Sequence, residues 1–129
     1  MPKTVITPPD APPPLAPYSS GTRAGDTVYV SGILAMDAHG VVGLGDVRRQ
    51  TRYVLDNVKA VVEAAGGTLS DIAFNSIFLK DLSDYAAFNE VYREYFPTEP
   101  PARYCIRADL VRQEFLVEVS SVAHIPVPK

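Results

Sequence analysis

An α+β fold, a mixed β-sheet with two helices on one face, is predicted by three observations. Apolar and polar residues alternate with period two in 100–110 and 115–125, a strand bounded by turn signals runs over 27–36, and a nearly continuous β-prone run fills 72–80. From Val47 to Ala65 the apolar residues return at helical spacing, and from Tyr85 to Phe96 the aromatic ones do. Two helices cannot cover both faces of a sheet. The uncovered face is therefore expected to pack against further copies of the chain.

Lys3 to Thr7 reads as a short strand, followed by a segment from Pro8 to Pro17 that holds six of the twelve prolines. Such a segment is extended and stays out of a sheet centre. It delivers Tyr18 to Gly21 to a strand over 27–36, bounded by Gly25-Asp26 and Asp37-Ala38-His39-Gly40. Gly32 inside that strand marks a bulge or a close approach of another group to the backbone. Val47, Thr51, Val54, Leu55, Val58, Val61, Val62 and Ala65 form one stripe of a helix, with Asp46 as its N-cap and Gly66-Gly67 as its stop. A second helix, capped by Ser83 and closed by Pro97, carries Tyr85, Phe88, Tyr92, Tyr95 and Phe96 as a core stripe. Asn89 lies beside that stripe, where it can face a cleft.

The runs 100–110 and 115–125 read as an antiparallel hairpin with Leu110 opposite Phe115. That register puts Arg103, Cys105, Arg107, Leu116, Glu118 and Ser120 on one face, expected to be the site. Tyr104, Ile106, Ala108, Val117, Val119 and Ser121 fall on the other, expected to be core. An arginine and a glutamate on one face can hold a small carboxylate beside a proton-transfer group. The competing expectation is a cross-strand ion pair of Glu118 with Arg107, which this register places opposite each other.

The 129 residues, 47% of them hydrophobic, are expected to form a single domain over 1–129. The net charge is −3 and the basic residues are scattered, so nucleic acid is not an expected partner. No apolar run approaches the length of a membrane span and no leader-like segment opens the chain, so a cytoplasmic location is expected, with no membrane partner. A single cysteine, Cys105, and two histidines, His39 and His124, leave no basis for a disulfide or a metal site. Neither histidine is tied to Cys105, which reads as a small buried residue and not a nucleophile.

Several separated motifs carry a resemblance over nearly the whole chain. They are Ala16-Pro17-Tyr18-Ser19, Val28-Tyr29-Val30-Ser31-Gly32, Leu55-Asp56-Asn57-Val58, Lys80-Asp81-Leu82, Tyr85 to Tyr92, and Pro101 to Ile106 with Val117-Glu118-Val119. In this order they resemble the Rid family, the reactive enamine/imine intermediate deaminases. The segments Phe74 to Phe78 and Ala123-His124-Ile125 resemble its Rut-pathway branch, aminoacrylate deaminases of uracil breakdown. Ile33 departs from the glutamine that commonly follows the motif glycine in the family. The resemblance implies a homotrimer of chorismate-mutase-like fold, with a central barrel of β faces and pockets between subunits. It further implies that Arg103 binds the substrate carboxylate, that Glu118 handles water and proton, and that Tyr18, Ser31, Gly32, Ile33, Asn89 and Cys105 line the pocket. Tyr18 and Ser31 are candidates for donation by the neighbouring subunit.

The implied chemistry needs no cofactor. 3-Aminoacrylate is an enamine with a carboxylate, which hydrolyses through its imine to malonic semialdehyde and ammonia. A guanidinium fork grips the carboxylate, and one carboxyl group serves as acid and then as base. The alternative is a trimeric regulatory module that binds small carboxylates without turnover, for which Glu118 is dispensable. An interaction protein would be indifferent to Arg103 as well.

Overall fold

The computed structural model describes residues 2–128. In chain order they form β1 (Thr4–Ile6), β2 (Gly21–Ala24), β3 (Thr27–Leu34), β4 (Met36–Asp37), β5 (Gly40–Val41), α1 (Val47–Ala64), β6 (Ile72–Leu79), α2 (Tyr85–Tyr95), β7 (Ala102–Arg107) and β8 (Val117–His124). The main sheet runs β1-β2-β3-β8-β6-β7, and β4-β5 is a separate ribbon. Only β6 and β7 are parallel neighbours; the other pairs are antiparallel, so the sheet is mixed.

The expected hairpin does not form. β6 lies between β7 and β8: it runs parallel to β7 and antiparallel to β8. A strand followed by a helix must cross over to return in parallel, and the β6-α2-β7 segment does this, leaving β7 at the sheet edge. β8 fills the gap between β3 and β6, where Val117, Val119, Ser121 and Ala123 are all buried. Period-two alternation identifies a half-covered strand but not its neighbour.

The change of partner changes the faces. Ile77 stands between Cys105 and Val119 in the register, and Phe78 between Ile106 and Glu118. Arg103, Cys105 and Arg107 therefore share the helix-covered side with Val119, whereas Glu118 lies on the open side with Ile106 and Tyr104. Arg107 pairs with Leu79 and is not opposite Glu118, which removes the expected ion pair.

Both helices cover one side. α1 buries Val47, Thr51, Val54, Leu55, Val58, Val61 and Val62 as the spacing predicts, while Ala65 is only partly covered. Asp46 accepts a hydrogen bond from the Arg49 N–H (3.1 Å) at one end. At the other, Gly66 takes φ 91° and the Gly67 N–H reaches the Val62 carbonyl (2.9 Å). Before α2, the expected Ser83 cap is replaced by Asp81, whose side chain accepts from the Ser83 N–H (2.8 Å) and starts a 3-10 turn over Leu82–Asp84. Phe88, Tyr92 and Phe96 are buried as core, but Tyr85 stands out at 43% exposed. On the open side Tyr29, Tyr104 and Ile106 are 44 to 48% exposed.

Candidate active site

Two clefts hold the predicted site residues, one on each side of the sheet. The first is an open cleft of about 370 Å³ lined by Tyr85, Asn89, Tyr92, Phe96, Pro100 and Arg103 among others. Tyr85, Asn89 and Tyr92 are spaced i, i+4 and i+7 on α2, so the helix presents them as one ridge over the β7 edge. Arg103 Nη2 donates to Asn89 Oδ1 (2.8 Å) and to Tyr85 Oη (3.1 Å). The guanidinium carbon lies 4.7 Å over the centroid of the Tyr92 ring. Such a platform holds the fork in place without neutralising it. Among the described residues the ion pairs are Arg48 with Glu90 and Arg52 with Glu94, and none of their carboxylates is paired with Arg103.

The second cleft, of about 350 Å³, is lined by Leu15, Ala16, Tyr18, Ser31, Gly32, Leu34, Val111 and Glu118. It depends on an irregularity in β3. Val30 pairs with Ser121 and Ile33 with Val119, so Ser31 and Gly32 together face Ser120 in a β-bulge. The Ser31 hydroxyl donates to the Ser19 carbonyl (2.5 Å), and its N–H to the Ser20 carbonyl (3.0 Å), which ties the proline-rich segment to the bulge. Glu118 is partly buried, and burial raises its carboxyl above the usual carboxylate range. Neither Arg103 nor Arg107 pulls it back down, so desolvation prevails within one chain.

The structure thus gathers Tyr18, Ser31 and Gly32 around Glu118, and Asn89 around Arg103. It leaves two candidates elsewhere. Ile33 turns its side chain to the core after the bulge, and Leu34 lines the cleft instead. Cys105 packs against the core beside Ile77, and burial pushes its thiol up while the Arg103 charge opposes that. The sequence pattern marks Tyr85 and Tyr92 as packing residues, and their spacing with Asn89 is the signal that places all three on one ridge against Arg103.

The fold and clefts define an α+β protein with a guanidinium-bearing cleft on one side of its sheet and a cleft around a partly buried carboxyl on the other. Residues 8–125 match the family described as Ribonuc_L-PSP, Endoribonuclease L-PSP, and the chain belongs to that family, the L-PSP or Rid family. It is 53% identical over 126 residues to the 3-aminoacrylate deaminase RutC of Acinetobacter baylyi, covering 97% of this chain and all of that one. The crystal structure of Escherichia coli TdcF with bound serine matches with TM-score 0.84 and 32% identity over 94% of this chain and 98% of that one. The Rid-family protein YyfA of Yersinia pestis matches with TM-score 0.88 and 30% identity over 95% and 99%.

Proposed function

We propose that this protein is a cofactor-independent 3-aminoacrylate deaminase of uracil breakdown, acting as a single domain in a cytoplasmic homotrimer whose sites lie between subunits. The identity to RutC along the full chain supports the substrate. The observation that carries the intersubunit site is the separation of Arg103 and Glu118 by the sheet. One chain cannot close a crevice around both groups. Association through the open face, with its exposed Tyr29, Tyr104 and Ile106, would bring the Glu118 cleft of one copy against the Arg103 edge of the next and form a central barrel of sheet faces. No helix among the described residues is long and apolar enough to cross a membrane.

Arg103 would take the substrate carboxylate on the part of its fork not bound to Tyr85 and Asn89. Glu118, whose carboxyl burial shifts toward its protonated form, would give its proton to the carbon next to the carboxylate, turning the enamine into an iminium. The resulting carboxylate then takes a proton from the water that attacks the iminium carbon. Returning that proton to the nitrogen and taking the proton of the new hydroxyl group expels ammonia, leaves malonic semialdehyde and restores protonated Glu118. The imine is itself electrophilic, so the thiol of Cys105 is not required.

The test generates the enamine in situ with an upstream enzyme and follows its decay by absorbance. Arg103→Ala is expected to lose carboxylate binding and turnover together, and Glu118→Ala to lose turnover while still binding. Mixing the two inactive variants should restore about a quarter of wild-type turnover, since three quarters of random trimers are mixed and each has one intact interface in three. No recovery on mixing would refute the intersubunit site. Wild-type turnover by Glu118→Ala would remove Glu118 from the chemistry, whereas no turnover by the wild type, with carboxylate binding lost only in Arg103→Ala, would favour a binding module that does no chemistry.

A further inference from the structure

Beyond the register shift that follows Ile72, three rows of side chains cross the core between β6 and β8. Two are aliphatic, Ile77 with Val119 and Leu79 with Val117. The third is polar, Asn75 with Ser121, although Asn75 is fully buried and Ser121 is 1% exposed. Aliphatic residues would pack in this row as they do in the other two, and a buried polar row is costly unless every group is paired. It is also the row that continues across β6 to Arg103, whose register partner is Asn75.

The Ser121 hydroxyl donates to Asn75 Oδ1 (2.5 Å), and Asn75 Nδ2 donates to the Tyr92 hydroxyl oxygen (2.9 Å). Tyr92 is thus an acceptor toward the core, and its hydroxyl proton must point elsewhere. Its polar neighbour in the cleft is the Arg103 guanidinium, which has donors and no acceptor. Among the described residues no acceptor is recorded for that proton. An oxygen anion bound by Arg103 would supply one.

We infer that Tyr92 is a further substrate-binding residue of the Arg103 cleft, donating its hydroxyl to the substrate carboxylate, and that Asn75 and Ser121 are positioning residues that aim it. This deepens the proposed function and rests on Arg103 being the carboxylate site. It gives a task to Asn75 in the Phe74-Asn75-Ser76-Ile77-Phe78 segment that packing alone leaves unexplained.

The probe is 3-hydroxypropionate, a stable acid with the same number of carbons as the substrate, titrated by ligand-observed NMR. Tyr92→Phe keeps the ring in its stack with Phe88 and Phe96 and removes only the hydroxyl. It should weaken the probe about three- to tenfold. In the enamine assay it should raise KM by a similar factor and leave kcat nearly unchanged, as expected for binding shared by ground and transition states. The pair Asn75→Val with Ser121→Ala replaces both core polar groups, so neither is left orphaned. Adding it to Tyr92→Phe should weaken the probe no further, because it acts only through that hydroxyl. Wild-type affinity in Tyr92→Phe, alongside lost binding in Arg103→Ala, overturns the inference alone. Wild-type affinity in Arg103→Ala overturns the reading beneath it. A core pair that lowers Tm yet leaves probe affinity at the wild-type value overturns the positioning role.

Discussion

Gly32 makes room for Glu118: a Cβ at position 32 would collide with the Glu118 carboxylate and lie 3.1 Å from its Cδ. The glycine sits in the β-bulge between Val30 and Ile33, and β8 carries the glutamate to it. A glycine inside a strand is compatible with two roles, a bulge or a close approach. The structure has both at one residue.

Gly32→Ala is therefore expected to displace the Glu118 carboxyl without unfolding the chain. The obstructed group is the free end of a flexible side chain, so the strain is relieved by moving Glu118. A misplacement of about 1 Å can cost on the order of 10²-fold in rate. Thermal unfolding should stay near wild type while enamine turnover falls by at least tenfold. A variant with normal turnover would show that the close approach is incidental.

The pH dependence of stability follows from burial of Glu118. Its folded pKa is raised above the ordinary 4.5, so the folded state favours the protonated form. Protonated Glu118 costs nothing extra at low pH, and stability is lost as pH rises from the unfolded pKa through the folded one. Glu118→Gln cannot ionise and escapes that loss. Its Tm should match wild type near pH 4, exceed it increasingly at higher pH, and level off once the wild-type group is ionised. A constant Tm difference across pH would contradict burial as the cause.

Arg103→Lys should be a poor replacement despite its conserved charge. The guanidinium bridges Asn89 and Tyr85 while stacked over Tyr92, and an ammonium cannot do this and present two parallel donors to a carboxylate. Carboxylate affinity is expected to fall at least tenfold, about 1.4 kcal/mol, in an NMR titration. Near-normal affinity would reduce Arg103 to a point charge.

Cys105→Ala should keep turnover within a few-fold of wild type. The thiol is pushed above its ordinary pKa by burial and packs against the core, so the thiolate a nucleophile needs is disfavoured. Slow alkylation by iodoacetamide at neutral pH, with activity retained, is the matching chemical result. Loss of turnover in a well-folded Cys105→Ala protein would require a covalent step.

Local signals read well where one segment decides its own structure. The stripe from Val47 to Val62, its Asp46 cap and its Gly66 stop are all properties of neighbouring residues, and the helix forms where they place it. Gln50 was not legible. It is fully buried on that helix, where its amide donates to the Gly43 and Glu114 carbonyls and accepts from the Leu116 N–H. A polar residue reads as solvated until the loops that satisfy it arrive from elsewhere. The strand Gly21–Ala24 was missed for a similar reason, being defined by its pairing with its two neighbours and not by its own composition.

By itself the amino-acid order determined the α+β class, the long helix and the place of the strand glycine, and it singled out Arg103 and Glu118 as the candidate pair. Only the tertiary structure decided that β6 separates their strands and that they lie on opposite sides of the sheet. Alternation along a strand reports which residues share a side within that strand. How two strands align depends on what packs between them, and that is settled by long-range burial.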